Sequence, residues 1–181
     1  MRGVCSRTSL NDRYFYEDFK TRDELLVAAW DGVRNEMLGE VSATLAERVG
    51  QPPLETIRMT ISMVVDRITQ DPGRAKILLT QHVGSSPLQD RRAVALQEAT
   101  HLVVAASKPH LRPDADETAL RMDTLVAVGG FVELITAWHA GLLDVSQEEI
   151  VEHTSRLAET LAERYLVHAL SVDDVPGTLP S

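Results

Sequence analysis

Leu25, Leu26, Ala29, Trp30, Val33, Met37, Val41, Leu45 and Val49 recur at three- and four-residue intervals, the spacing that gathers side chains onto one face of an α-helix. Similar spacing returns in the other long stretches between the prolines (Pro52, Pro53, Pro72, Pro87, Pro109, Pro113, Pro176 and Pro180), and strict alternation replaces it nowhere. The fold class expected is therefore all-α. A chain of 181 residues is the size of one domain with a small appendage. With 44% hydrophobic and 25% charged residues it has the balance of a globular protein, not a disordered one. No apolar run approaches the roughly 18 residues of a membrane span, and no charged-then-apolar leader opens the chain, so insertion and secretion are disfavoured. A lone cysteine, Cys5, excludes an intramolecular disulfide and a Cys-based zinc site, and fits the reducing cytoplasm.

Boundary signals divide the helical pattern. Thr21-Arg22-Asp23-Glu24 reads as an N-cap with Glu at the third helical position. The helix it opens runs to Val49, before Gly50-Gln51-Pro52-Pro53, a rod about 40 Å long. Gly32 and Gly39 each weaken it by up to about 1 kcal/mol relative to Ala. A stripe from Leu54 to Ile68 follows, then Asp71-Pro72 as cap and first helical residue, with the helix continuing over Lys76–Val83. Gly84-Ser85-Ser86-Pro87 is a break, Leu88–Ala106 a helix, and Lys108–Pro113 a loop. Asp114-x-x-Glu117 is expected to open a helix, 114–140, so apolar on nearly every side that it should be covered all round. Gly141 stops it. Ser146-Gln147-Glu148-Glu149 is a second capping box, starting helix 146–168 with Ile150, Leu157, Leu161 and Tyr165 on one face. Val172–Ser181 reads as a frayed tail.

The first residues differ in character from the body. Residues 1–22 hold five basic and three acidic side chains, whereas the other 159 hold 13 and 24. Five of the eight aromatics, Tyr14, Phe15, Tyr16, Phe19 and Trp30, fall in the first 30 positions. The overall charge of −9 argues against a protein that coats nucleic acid, but not against one that touches it at a basic, aromatic tip. Ser9-Leu10-Asn11 reads as a tight turn with Asn11 capping a short helix to Phe19. Phe15 and Phe19 face inward on that helix, while Arg13, Tyr14 and Tyr16 point elsewhere.

This segment resembles the C-terminal part of the helix-turn-helix of the tetracycline-repressor (TetR) family of bacterial transcription regulators. The family's order of turn, short recognition helix, Tyr, two residues, Phe, Ser/Thr cap, basic residue and leucine pair is met by Ser9-Leu10-Asn11, Tyr16, Phe19, Thr21, Arg22 and Leu25-Leu26. The resemblance covers about 25 residues. It implies that Arg13 and Tyr14 face base edges or phosphates in the major groove and that Tyr16 bonds a phosphate. Asn11, Thr21 and Arg22 would then hold the backbone at two helix N-termini. About twenty residues precede the long helix where the family has roughly forty, so the first helix of the head is expected to be missing from this sequence, and Ser9 stands where the family usually has Gly. The division implied is a partial head (1–26), a regulatory and dimerisation domain (27–170) and a tail (171–181).

From the resemblance follow two partners besides a double-stranded DNA operator. One is a second copy, paired through helices 114–140 and 146–168, because two half-sites about 34 Å apart need two recognition helices. The other is a small, mostly apolar effector, for which Met59, Met63, His82, His101, Met122, Phe131, Trp138 and His139 are the candidate pocket residues. The six histidines show no metal-ligand pairing, and there is no phosphate loop, nucleophile elbow or carboxylate pair set for acid–base work, so neither a metal, a cofactor nor an enzyme is expected. The expected function is a ligand-released repressor. The alternative is a headless dimeric ligand-binding module that does not touch DNA.

Overall fold

In a computed structural model, which describes residues 21–79 and 86–167, the chain is all-helical. Six α-helices are described: α1 (Arg22–Glu47), α2 (Pro53–Gln70), α3 (Pro72–Leu79), α4 (Ser86–Ser107), α5 (Glu117–His139) and α6 (Gln147–Tyr165). A 3-10 turn, Lys108–His110, follows α4. The segment of the resemblance before Thr21, with Asn11, Arg13, Tyr14 and Tyr16, lies outside the described residues, as do His82, the side chain of Arg22 and the tail 171–181.

Side-chain caps explain four of the six described helix starts. Thr21 Oγ1 accepts the Glu24 amide at 3.1 Å and so satisfies one of the unpaired donors that open α1. Asp71 Oδ1 does the same for Arg74 N at 3.0 Å at the start of α3. Ser146 and Glu149 form the reciprocal capping box that opens α6. Helix α5 begins later than its sequence suggests. Asp116, not Asp114, is its cap, accepting from Thr118 N and Ala119 N, while Asp114 turns aside to pair with Arg112. Gly141 ends α5 at a φ of 74°, a left-handed conformation that favours glycine. Its amide reaches Trp138 O and that of Leu142 reaches Ala137 O, closing the last carbonyls in a Schellman motif.

Helix α6 packs on α2, α5 packs on α4, and α1 lies across α2, α3 and α4. The densest core sits where α2, α3, α5 and α6 meet, around Val65, Ala75, Leu79, Ile135 and Ile150. A second cluster joins Leu120 of α5 to Ala162, Tyr165 and Leu166 at the end of α6. There a short backbone bridge ties the segment after the 3-10 turn to the end of α6, with Arg112 N donating to Tyr165 O and Val167 N to His110 O.

Two faces depart from the pattern read in sequence. Helix α5 is not covered all round: Leu120, Thr124 and Ile135 are buried, but Met122, Leu125 and Val126 are exposed, the last by 74%. One side of α5 meets α4 and the core, and the other meets nothing among the described residues. On α6 the buried face runs through Ile150, Thr154, Ser155, Ala162 and Tyr165, and Leu157 lies outside it, half-exposed. The contact with α2 selects that face, which keeps Ile150 and Tyr165 of the expected stripe and leaves Leu157 off it.

Candidate functional site

Between α1, α2, α4, α5 and α6 lies a cleft of about 780 Å³, within the range of small-molecule sites. Its shape follows from side-chain size. Helix α4 presents Ala93, Ala95, Ala99 and Ala106 to it, with Leu96 and Val103 as its larger groups. Alanines have too little bulk to meet the facing helices, so the space stays open. Val41 and Leu45 of α1, Ile57 and Ile61 of α2, and Val128 and Phe131 of α5 supply the rest of an apolar wall.

A few polar groups interrupt that wall. Arg34 of α1 stacks its guanidinium over the Trp30 ring, 6.0 Å from the centroid. Its Nη1 donates to Glu98 Oε2 at 3.0 Å and to Asn35 Oδ1 at 2.8 Å. Its Nε is buried without a hydrogen-bond partner among the described residues, as is Oγ1 of Thr154 on α6. Thr56 of α2 is buried, but its hydroxyl is already committed to Pro52 O at 3.2 Å. At one end of the cleft Arg48 pairs with Glu55 at 3.2 Å.

Asp123 joins α5 to α6 at the cleft wall. Its Oδ2 accepts from Tyr165 Oη at 2.5 Å and from Arg164 Nη1 at 2.8 Å. The hydrogen bond to Asp123, helped by burial, raises the Tyr165 phenol above its ordinary value, because ionised Tyr165 would lose that donor.

Of the effector candidates in the described residues, Phe131 lines the cleft, and the others do not join it. Met59 and Met122 are exposed, by 42% and 58%, and Met63 is half-buried beside the cleft-lining face of α2. His101 is exposed, its Nε2 3.0 Å from Arg121 Nη2. Trp138 packs against the dense core and donates from Nε1 to Val145 O at 2.8 Å, an anchor for the loop before α6. His139 is exposed in the last turn of α5. Thr21 is the α1 cap. Sequence reasoning passed over Arg34, Thr124 and Thr154. Thr124 and Thr154 carry a usable signal, a hydroxyl on an otherwise apolar helical face. Arg34 carries only its four-residue spacing from Trp30, which a solvated arginine beside a stripe can also show.

No group of three or more His, Cys, Asp or Glu is placed to hold a metal ion among the described residues. No described helix is long and apolar enough to cross a membrane. Set beside protein-family models, curated proteins and solved structures, the chain matches none of them.

Proposed function

We propose that the chain is a cytoplasmic, homodimeric regulator of transcription of the TetR type: a repressor, not an enzyme, that leaves a palindromic DNA operator when a small, mostly apolar molecule enters the cleft. The observation that carries this reading is the position of α1. It begins at the Thr21 cap, directly after the Asn11–Lys20 segment whose residues match the family's recognition helix, and its Trp30, Arg34, Met37, Leu38, Val41 and Leu45 line the cleft. A ligand that prefers one placement of α1 thereby prefers one placement of the head. Reversing a 99:1 preference between two such placements requires about 5.5 kcal/mol of differential binding. Support for the dimer comes from the apolar groups that α5 exposes at helical spacing, Met122, Leu125 and Val126, of the kind that mark an interface.

The test is binding of the full chain to labelled duplex from the flank of its own gene, measured against salt. Expected is saturable binding that competitor DNA of unrelated sequence does not abolish, with affinity falling steeply between about 50 and 200 mM salt as phosphate contacts release counterions. Arg13→Ala should weaken specific binding by about 1–3 kcal/mol if it reads a base edge. Dimers in sedimentation together with binding of a ligand but no specific affinity for any flanking duplex would replace this reading with the headless module.

A further inference from the structure

We infer that the cleft takes a molecule built on one long, flexible hydrocarbon chain, chosen by its length and not by the charge of its head group; this rests on the reading of the cleft as a ligand site. The lining covers 30–45 of α1, 53–68 of α2, 92–107 of α4 and 120–133 of α5, about 20 Å of each helix at 1.5 Å per residue. Contacts between the helices keep these stretches in line. Asp31 and Arg34 of α1 meet Arg91 and Glu98 of α4 in the same order, so these two helices run together. Glu40 and Arg48 of α1 meet Arg67 and Glu55 of α2 in the reverse order. Leu96 of α4 faces Gly129 of α5, and Val104 packs in the cluster that holds Leu120, so α5 runs against α4. The cavity therefore follows the helix axes, and 780 Å³ spread along about 20 Å is a channel about 7 Å across. Both δ-carbons of Leu96 stand 3.9 Å from where a Gly129 Cβ would be, a narrowing that a chain can turn past and a rigid, wide body cannot. An extended chain advances about 1.2 Å per bond, so about sixteen carbons span the channel.

Along its middle the wall is apolar, with Leu38, Val41, Ile61, Leu96, Val128 and Leu157. The Thr56 and Thr60 hydroxyls are spent on backbone carbonyls, and that of Thr154 is buried out of reach. The charged groups stand toward the two ends, and each end holds both signs. Toward Trp30 are Arg34 with its partner Glu98, Arg92 and Glu133. Toward Arg48 and its partner Glu55 are Asp123, paired with Arg164, and His110. Neither end offers a head group a single sign of charge, while the apolar middle rewards every methylene that it covers.

Straight-chain carboxylates and alkyltrimethylammonium salts of graded length, held below their micelle concentrations, test this by displacing cis-parinarate from the full chain. Affinity should rise about fourfold for each added methylene and level off near about sixteen carbons. The two head groups should differ by less than about tenfold at equal length. 1-Pyrenecarboxylate, which packs nearly the same number of carbons as hexadecanoate into a compact body, should bind at least about tenfold more weakly than hexadecanoate. Ala99→Phe, halfway along the α4 wall, should bring the plateau down to shorter chains. Pyrenecarboxylate binding as tightly as hexadecanoate, or a plateau that Ala99→Phe does not move, overturns the chain assignment while leaving an apolar ligand site in place. A larger difference between the head groups overturns selection by length over charge. If neither cis-parinarate nor pyrenecarboxylate binds up to its solubility, the assignment and the ligand-site reading fall together. None of these outcomes depends on DNA binding, which is measured separately.

Discussion

Helix α5 passes through two interiors of opposite character. Near its C-terminal end Ile135 is 1% exposed and closes against Val65, Ala75, Leu79 and Ile150. One to three turns earlier, Thr124, Ala127, Val128 and Phe131 border a cleft. Hydrophobicity does not separate the two, since both walls are mainly aliphatic. What separates them is the volume offered by the facing helix. Around Ile135 the buried neighbours are branched aliphatics, Ile61, Val65, Ile68, Leu79 and Ile150, with one alanine, Ala75. Across the cleft α4 offers alanine after alanine. A helical bundle thus makes a binding site by withholding methylenes from one helix, while an adjacent closed core holds the frame.

The largest effect that would sharpen this contrast is Ile135→Ala, which should cost about 2–5 kcal/mol, because the packed neighbours can only partly collapse into the hole. Denaturant unfolding reads it, and a cost under about 1 kcal/mol would mean that the core is as open as the cleft. The converse pair adds bulk. Ala75→Leu should destabilise by about 1–3 kcal/mol, since Ala75 is 1% exposed within the dense core. Ala99→Leu places the same atoms in the cleft and should change stability by less than about 1 kcal/mol, while weakening the binding of any cleft ligand. Similar costs for the two would break the comparison.

How much of this was legible beforehand follows from what local sequence encodes. Caps and stops were readable at Thr21, Asp71, Gly141 and Ser146, because a cap acts within four residues. Asp114 was mistaken for Asp116 because two carboxylates stood within reach of the same helix start, and the pull of Arg112 on one of them depends on the turn that precedes it. The apolar excess of α5 was plain, but an excess cannot say which side stays bare. The pocket was the least legible part. The lining expected at Met59, Met63, Met122, His101 and His139 lies elsewhere, whereas the cleft is built from small residues on α4 and from Arg34, whose partner Glu98 is brought to it from α4. That is tertiary information, and three- or four-residue spacing does not carry it.

The smallest effect concerns how the cleft is closed at the end where α5 meets α6. There the helices are joined by the Tyr165–Asp123–Arg164 cluster as well as by apolar contact. The hydrogen bond to Asp123 lifts the Tyr165 phenol above its usual value near 10. Folded protein therefore holds that proton more tightly than unfolded chain does. The resulting stability is fully present below about pH 10 and is lost as pH rises through the raised folded-state value. Tyr165→Phe should accordingly be less stable than the unaltered protein at neutral pH, with the gap narrowing on the alkaline side. The dense core has no titrating group of this kind at its centre, so Ile135→Ala should keep a constant offset over the same range. Unfolding midpoints at pH 7, 9 and 11 decide it. If the Tyr165→Phe gap stays constant to pH 11, the cluster contributes through packing alone, and that end of the cleft is held in the same way as the core.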